Sequence, residues 1–261
     1  MLSLCSWNVN GLRAAQRKGF LDWLHATQPD ILGLQETKCR PEQLDDELRR
    51  PPGYHTFWAS AERPGYSGVA LYTKQAPRDV QIGLGIPEYD REGRTIVATY
   101  DDFVLITAYF PNGSRDHSRV PFKMAYKADF LAFCNGLRAA GKPVIFCGDV
   151  NTAHRPIDLA RPRQNENTTG FLPIERAWLD EVTAQGYLDA FRYLYPERTG
   201  AYSWWSYIGG ARARNVGWRL DYFFTTPDLA ARIAAAAIHA DAPGSDHCPV
   251  SLTLAGRSAR A

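Results

Sequence analysis

Short runs of β-branched and apolar residues, several separated by no more than a turn, constrain this chain's fold more than any other feature of it. Strands are expected at residues 2–9, 31–35, 68–73, 95–100, 103–110, 143–147, 220–225, 234–239 and 250–254. Helices are expected at 19–27, 121–140 and 173–185. The second of these places Phe122, Tyr126, Phe130, Phe133 and Leu137 three or four apart, which makes one apolar face, and Gly141 and Pro143 stop it. Residues 95–100 and 103–110, joined around Asp101 and Asp102, read as a hairpin, a connection that a strictly alternating strand–helix chain lacks. The pattern predicts an α/β fold of two mixed sheets packed face to face with helices outside. Residues 1–255 read as one domain, and 256–261 as a disordered tail.

The charge balance excludes one easy reading. Lys and Arg number 30 against 28 Asp and Glu, a net +2, so no global field draws the chain to a polyanion. Binding to nucleic acid would need a basic face set against an acidic site. The cysteines, Cys5, Cys39, Cys134, Cys147 and Cys248, are odd in number and form no CxxC pair, which reads as reduced thiols in a cytoplasmic protein. The N-terminal residues do not resemble a signal peptide, and no apolar run approaches the roughly 20 residues a membrane span needs.

The chemistry gathers at strand ends. Asn8 and Asn10 close the first strand before Gly11, a pattern that also makes an ordinary turn. Glu36 follows a purely apolar strand with Lys38 close by, as a surface carboxylate, a cap or a hard oxygen ligand for a divalent cation would. Tyr109 ends a buried strand before Pro-Asn-Gly, where a phenol can pack or donate to a phosphate oxygen. The strongest motif is 144–151, a hydrophobic strand running straight into Gly148-Asp149-Val150-Asn151; burying Asp149 is costly unless a cation or substrate partners it. Asp221 lies in an aromatic run and also needs a partner, which His247, in Ser245-Asp246-His247, can supply. The polar stretch 154–171 is too long for a routine connection, and loops of that length are often functional.

Taken together, the blocks LQETK (34–38), GYSGV (65–69), AYFPNG (108–113), GDVN (148–151), WRLDYF (218–223) and SDH (245–247) resemble the exonuclease III family of AP endonucleases, in that family's order along the chain. The resemblance implies a four-layer αββα sandwich and a Mg²⁺-dependent DNA repair nuclease. Mn²⁺ is an expected substitute for Mg²⁺. The implied reaction is hydrolysis of the phosphodiester 5′ to an abasic site, with 3′–5′ exonuclease and 3′-end-cleaning activity. The implied partner is double-stranded DNA with abasic sites or damaged 3′ ends, bound by a monomer away from any membrane. Catalytic roles fall to Tyr109, Asp149, Asn151, Asp221 and His247. The cation falls to Glu36 with Asn8, Asp149, Asn151, Asp246 and His247 around it. Arg13, Lys18, Gly65, Tyr66, Arg94, Asn112 and Arg115 occupy positions where the family grips the DNA backbone. Trp204, Trp218 and Leu220 occupy positions where it receives an extruded abasic sugar, and the nearby Arg212, Arg214 and Arg219 favour a DNA-facing surface. The chain departs from some members by Asn10 in place of Asp, which removes a negative charge near the cation. The rival reading is a phosphodiesterase acting on a lipid or inositol phosphate. Such an enzyme shares GDxN and SDH but has no need of the tryptophan pocket.

Overall fold

The computed structural model describes residues 1–256, so the tail expected at 256–261 lies, beyond Gly256, outside the described residues. In chain order the strands are β1 (Leu2–Asn8), β2 (Ile31–Gln35), β3 (His55–Ala59), β4 (Val69–Thr73), β5 (Asp79–Ile82), β6 (Thr95–Thr99) and β7 (Val104–Tyr109). They continue as β8 (Val144–Asp149), β9 (Leu188–Asp189), β10 (Trp204–Trp205), β11 (Gly217–Trp218), β12 (Asp221–Thr225), β13 (Ile233–Ile238) and β14 (Val250–Leu254). Two six-stranded sheets result, ordered β13-β14-β1-β2-β4-β3 and β5-β6-β7-β8-β12-β9, with β10 and β11 forming a separate ribbon. Each large sheet has one parallel pair at its centre, β1 with β2 and β7 with β8, and antiparallel neighbours elsewhere.

The central strands are buried on both faces, which is why they read as mainly apolar runs, interrupted only by small polar residues such as Ser6 and Thr107. Along β7, Leu105 and Tyr109 face the other sheet while Val104, Ile106 and Ala108 face the helices. Between the sheets, Leu105, Ile145 and Phe223 meet Leu4, Leu71 and Leu252. Outside the second sheet, the helices Val120–Ala139 and Pro173–Ala184 bring Phe130 and Trp178 against Phe146 and Phe224. Outside the first, the helix Phe20–Thr27 brings Phe20 and Leu24 against Trp7, Leu34 and Tyr72. Each fully buried Leu or Phe contributes about 1.5–3 kcal/mol by leaving water, so these three layers of contact supply the main driving force for the four-layer sandwich. One polar staple crosses the inter-sheet core: Gln35 Nε2 donates to Thr107 Oγ1 at 3.0 Å and to Ser6 Oγ at 3.1 Å.

The expected strands and helices are all present, with shifted ends, and the hairpin of β6 and β7 closes through Tyr100 N–H to the Phe103 carbonyl at 2.9 Å. The strand expected to stop at 147 runs on through Gly148 to Asp149. Gly148 has φ +139°, and a Cβ there would sit 1.8 Å from the Ala108 carbonyl oxygen, so only glycine lets β7 and β8 stay paired up to the site. Five strands were not expected: the two-residue β10 and β11 of the ribbon, and the edge strands β3, β5 and β9, each with a partner on one side only, of which β5 exposes Asp79, Gln81 and Ile82.

Candidate active site

The parallel pairs decide where the polar motifs land. β1, β2, β7 and β8 send their carboxyl ends to one edge of the sandwich, which delivers Asn8, Glu36, Tyr109 and Asp149 there. β12 runs antiparallel to β8 and starts at that edge, with Asp221 opposite Asp149. β14 runs antiparallel to β1 with Val250 opposite Ser6, so the turn before it carries Asp246 and His247 alongside. A cavity of about 330 Å³ opens between these loops, with Glu36, Tyr109, Asn151 and His247 on its polar side and Trp218 and Leu220 on its apolar side.

Local backbone geometry is unusual at three of these positions. Asn10, Glu36 and Asn151 adopt left-handed conformations with φ of 46°, 51° and 52°. A non-glycine residue held there costs about 1–3 kcal/mol and persists only where its surroundings impose it. At Asn151 they do: its N–H donates to Asp149 Oδ1 at 2.8 Å and its side-chain amide to the Phe110 carbonyl at 2.9 Å.

A continuous hydrogen-bonded chain links the carboxylates. Asn8 Nδ2 donates to both Glu36 Oε1 and Asp149 Oδ2 at 2.9 Å, while Asn8 Oδ1 accepts from Asn10 N–H. Asn10 in turn donates to Asp246 Oδ1 at 2.9 Å. His247 Nδ1 lies 2.8 Å from Asp221 Oδ2, which also accepts from Ser203 Oγ at 2.6 Å, so Nδ1 carries a proton directed at Asp221. His247 Nε2 lies 3.7 Å from Asp149 Oδ2, too far for a direct hydrogen bond.

The electrostatics follow from burial and neighbours. Burial opposes ionisation of Glu36, but Lys38 at 2.7 Å and the Asn8 amide outweigh it and hold the carboxyl below its usual range. Burial, reinforced by Asp221 and Glu36, raises Asp149 to about 7, against the pull of His247. Burial alone would lower His247, yet Asp221 and Asp149 outweigh it and raise the ring to about 10, so it is an imidazolium at neutral pH. Burial and the Glu36 and Asp149 carboxylates push the Tyr109 phenol well above its ordinary value, which keeps its proton available for donation.

The donor set fits a hard divalent cation. Glu36, Asp149 and Asp246 offer carboxylate oxygens joined through Asn8 and Asn10, with no thiolate among them. Among the described residues, Asp149, Asp221 and His247 place ligand-type atoms within 4.8 Å of one another. In that group Asp221 Oδ2 is taken by His247 Nδ1 and Ser203, while Asp221 Oδ1 is buried without a hydrogen-bond partner. Asn8, as oriented, turns its amide donor and not its oxygen toward the two carboxylates.

The residues expected to contact DNA divide into two kinds. Arg13, Lys18, Gly65, Asn112 and Arg115 are exposed, and Tyr66 is half-buried. Arg94 corrects the expectation of a backbone-gripping surface residue. It is 1% exposed and donates to Glu92 at 2.6 Å, the Tyr109 carbonyl at 3.0 Å and the Tyr66 hydroxyl at 2.8 Å. Its guanidinium is committed to holding Tyr66 and Tyr109 in place. Two other arginines are corrected similarly. Arg219 is buried between Asp158 and Asp189, and Arg212 caps the carbonyls of Ala240, Ala242 and Ser245. Trp204, Trp218 and Leu220 pack with Leu159 and Phe171 as an apolar wall, and Trp204 Nε1 donates to Asp246 Oδ2 at 3.1 Å. Trp205 is core.

Several residues at the site escaped the sequence reading. Ser203 holds Asp221, and Thr168, Thr169 and Gly170 wall the cavity from the long loop whose function alone was foreseen. Lys123 and Glu175 support that loop from behind. The available signal was two lysines, Lys123 and Lys127, four apart beside a helix's aromatic face.

Comparison with known proteins agrees with this geometry. The chain is 45% identical to the zebrafish (Danio rerio) protein "DNA repair nuclease APEX1" over 256 residues, 97% of this chain and 82% of that one. It is equally 45% identical to an exodeoxyribonuclease of Bacillus subtilis over 254 residues, covering 97% and 99%. An AP endonuclease structure from Archaeoglobus fulgidus superposes with a TM-score of 0.87 at 28% identity, covering 98% and 100% of the two chains. A Neisseria 3′ phosphatase bound to product DNA hairpin gives 0.88 at 26% identity, covering 98% and 100%. The sequence pattern of the endonuclease/exonuclease/phosphatase family matches residues 5–247, and the chain belongs to that family.

Proposed function

We propose that this chain is a divalent-cation-dependent DNA repair nuclease that hydrolyses the phosphodiester 5′ to an abasic site and also trims and cleans 3′ ends. The single observation that carries this reading is the convergence of Glu36, Tyr109 and His247 on one cavity also lined by Trp204, Trp218 and Leu220, with Asp149 just beneath it, joined to Glu36 through Asn8. Acid–base groups and an apolar sugar-sized recess at one place suit a strand whose damaged nucleotide is turned out of the helix.

In the reaction, Asp149 accepts a proton from the attacking water, held in line by Asn151 and Asn8. The new bond is water oxygen to phosphorus and the broken bond is phosphorus to O3′, leaving a 5′ phosphate and a 3′ oxyanion that takes a proton from solvent water to become the 3′ hydroxyl. At 3.7 Å, His247 Nε2 makes no direct hydrogen bond to Asp149 Oδ2, so its proton is free for a phosphate oxygen seated next to the pair. The imidazolium donates to that oxygen from Nε2 while Asp221 fixes the ring through Nδ1. Tyr109 donates to a second phosphate oxygen. A Mg²⁺ or Mn²⁺ ion, held by Glu36 with Asp246 and Asp149 nearby, would neutralise charge on the phosphate and on the leaving 3′ oxygen. Exposed Arg13, Lys18, Asn112 and Arg115 with Gly65 and Tyr66 grip the flanking backbone without reading sequence.

Among the described residues no helix is long and apolar enough to cross a membrane. A cytoplasmic monomer of one domain, residues 1–255, is the form we propose for the enzyme. The test is a duplex with a single abasic-site analogue, incubated with Mg²⁺ or with EDTA, beside an undamaged 3′ end, a 3′-phosphate end and a lipid phosphodiester. Incision 5′ to the lesion in Mg²⁺ alone is expected. No incision of any DNA, with turnover of the lipid, would overturn the reading.

A further inference from the structure

Behind the site, where the helices Val120–Ala139 and Pro173–Ala184 meet, Lys123, Lys127 and Glu175 are wholly buried. Two lysine side chains and one carboxylate out of water are a costly way to fill a core, and apolar residues of similar volume commonly do as well or better. The contacts point to what the cluster holds.

One oxygen of Glu175 accepts from Lys123 Nζ at 2.6 Å and from the Thr169 hydroxyl at 2.8 Å. The other accepts from the backbone N–H of Gly170 and, at 3.0 Å, of Leu172. Lys123 Nζ also donates to the Asn151 carbonyl at 2.6 Å, and Lys127 Nζ to Thr152 Oγ1 at 2.7 Å. A single ion pair therefore joins two separate parts of the cavity. One is the loop 168–170 that walls it. The other is Asn151, whose left-handed backbone presents its N–H to Asp149. The fit leaves little slack. Gly170 has φ +96°, and a Cβ on it would lie 3.2 Å from the Trp218 ring and 3.4 Å from the Asn151 carbonyl oxygen. A loop released from Glu175 would shift against the apolar wall and against Asn151 together.

We propose that Lys123 and Glu175 are positioning residues for the nuclease reaction, setting the loop 168–170 over the substrate cavity and Asn151 against Asp149 as one unit. The inference rests on the function proposed above, and the test separates the two. Lys123→Met and Glu175→Gln are compared with Leu131→Ala, a buried core truncation on the same helix. Thermal melts place all three below their transitions at the assay temperature. Amide hydrogen exchange at Gly170 and Leu172 is then read in each protein, with kcat and KM on the abasic duplex.

The expected result is faster exchange at Gly170 and Leu172 in Lys123→Met and Glu175→Gln only. In those two variants kcat should also fall about tenfold or more, because small misplacement of reacting groups is expensive. Leu131→Ala should keep kcat within about twofold at an equal or larger loss of Tm. Combining Thr169→Ala with Lys123→Met should cost less than the sum of the two, since both act through Glu175. Unchanged exchange at Gly170 and Leu172, or kcat that follows Tm alike in all three variants, would overturn the proposal. A wild-type protein inert on abasic DNA would instead overturn the nuclease reading, and the exchange measurement would still decide this one.

Discussion

Replacing Asp221 with Asn should move the alkaline limit of activity toward neutrality, and the structure says by how much. His247 is raised from 6.5 to about 10, burial opposing and Asp221 leading the groups that raise it. At about 1.4 kcal/mol per unit, the surroundings favour the imidazolium by about 5 kcal/mol. Asp221 bonds the ring at 2.8 Å, while Asp149 lies 3.7 Å from Nε2, so Asp221 supplies the larger share of that preference. If the share is about half, the substitution brings the ring down by about two units, to near 8. At pH 9 the wild type keeps most of its rings protonated and the variant about a tenth, so the variant loses about tenfold more activity there than at pH 7. The same linkage acts on stability. A raised imidazolium stabilises the fold fully below its unfolded value near 6.5 and loses that contribution as pH rises through about 10. Asp221→Asn should therefore destabilise more at pH 6 than at pH 10.5. The assay is the pH dependence of single-turnover kcat/KM on an abasic duplex. An alkaline limb that stays where the wild type has it would refute the role given to the dyad.

Three further outcomes are expected. Asp158 is held at about 2, burial opposing and Arg219 and Arg192 prevailing; its contribution of about 2 kcal/mol is present above roughly pH 4 and lost as pH falls through 2, which urea midpoints at pH 5 and pH 2.5 will show or deny. Glu36→Gln should raise the Mg²⁺ concentration at half-maximal rate by about tenfold or more, and an unchanged half-saturation would remove Glu36 from the cation site. Arg115→Ala should reduce the slope of log binding constant against log salt by about 0.9, whereas Arg94→Leu should leave that slope alone and lower kcat; equal slope changes would restore Arg94 to the DNA surface.

What the sequence could reveal depended on whether a residue's partners lie nearby in the chain. β1, β2, β7 and β8 were legible because burial on both faces leaves mainly apolar runs, and their ends placed Asn8, Glu36, Tyr109 and Asp149. β3 and β5 were not, because edge strands half-exposed to water carry no such pattern. Asp221 announced its need for a partner by sitting among aromatics, and the partner proved to be His247. Arg94 and Arg219 gave no such notice: a charged side chain looks the same in sequence whether it faces phosphate or is enclosed by Glu92 or Asp158. Lys123 and Lys127 were hidden because the carboxylate that justifies burying them, Glu175, lies on another helix. The long loop 154–171 was recognised as functional from its length, but which residues wall the cavity depends on Glu175 bonding Gly170 and Leu172.

The most direct measurement is the crystal structure of the protein bound to a duplex carrying an uncleavable abasic-site analogue with a divalent cation. The scissile phosphate should lie within hydrogen-bond reach of His247 Nε2, with the cation on Glu36 and the sugar against Trp218 and Leu220. A phosphate seated elsewhere, with His247 and Asp149 touching only each other and solvent, would contradict the mechanism at its centre.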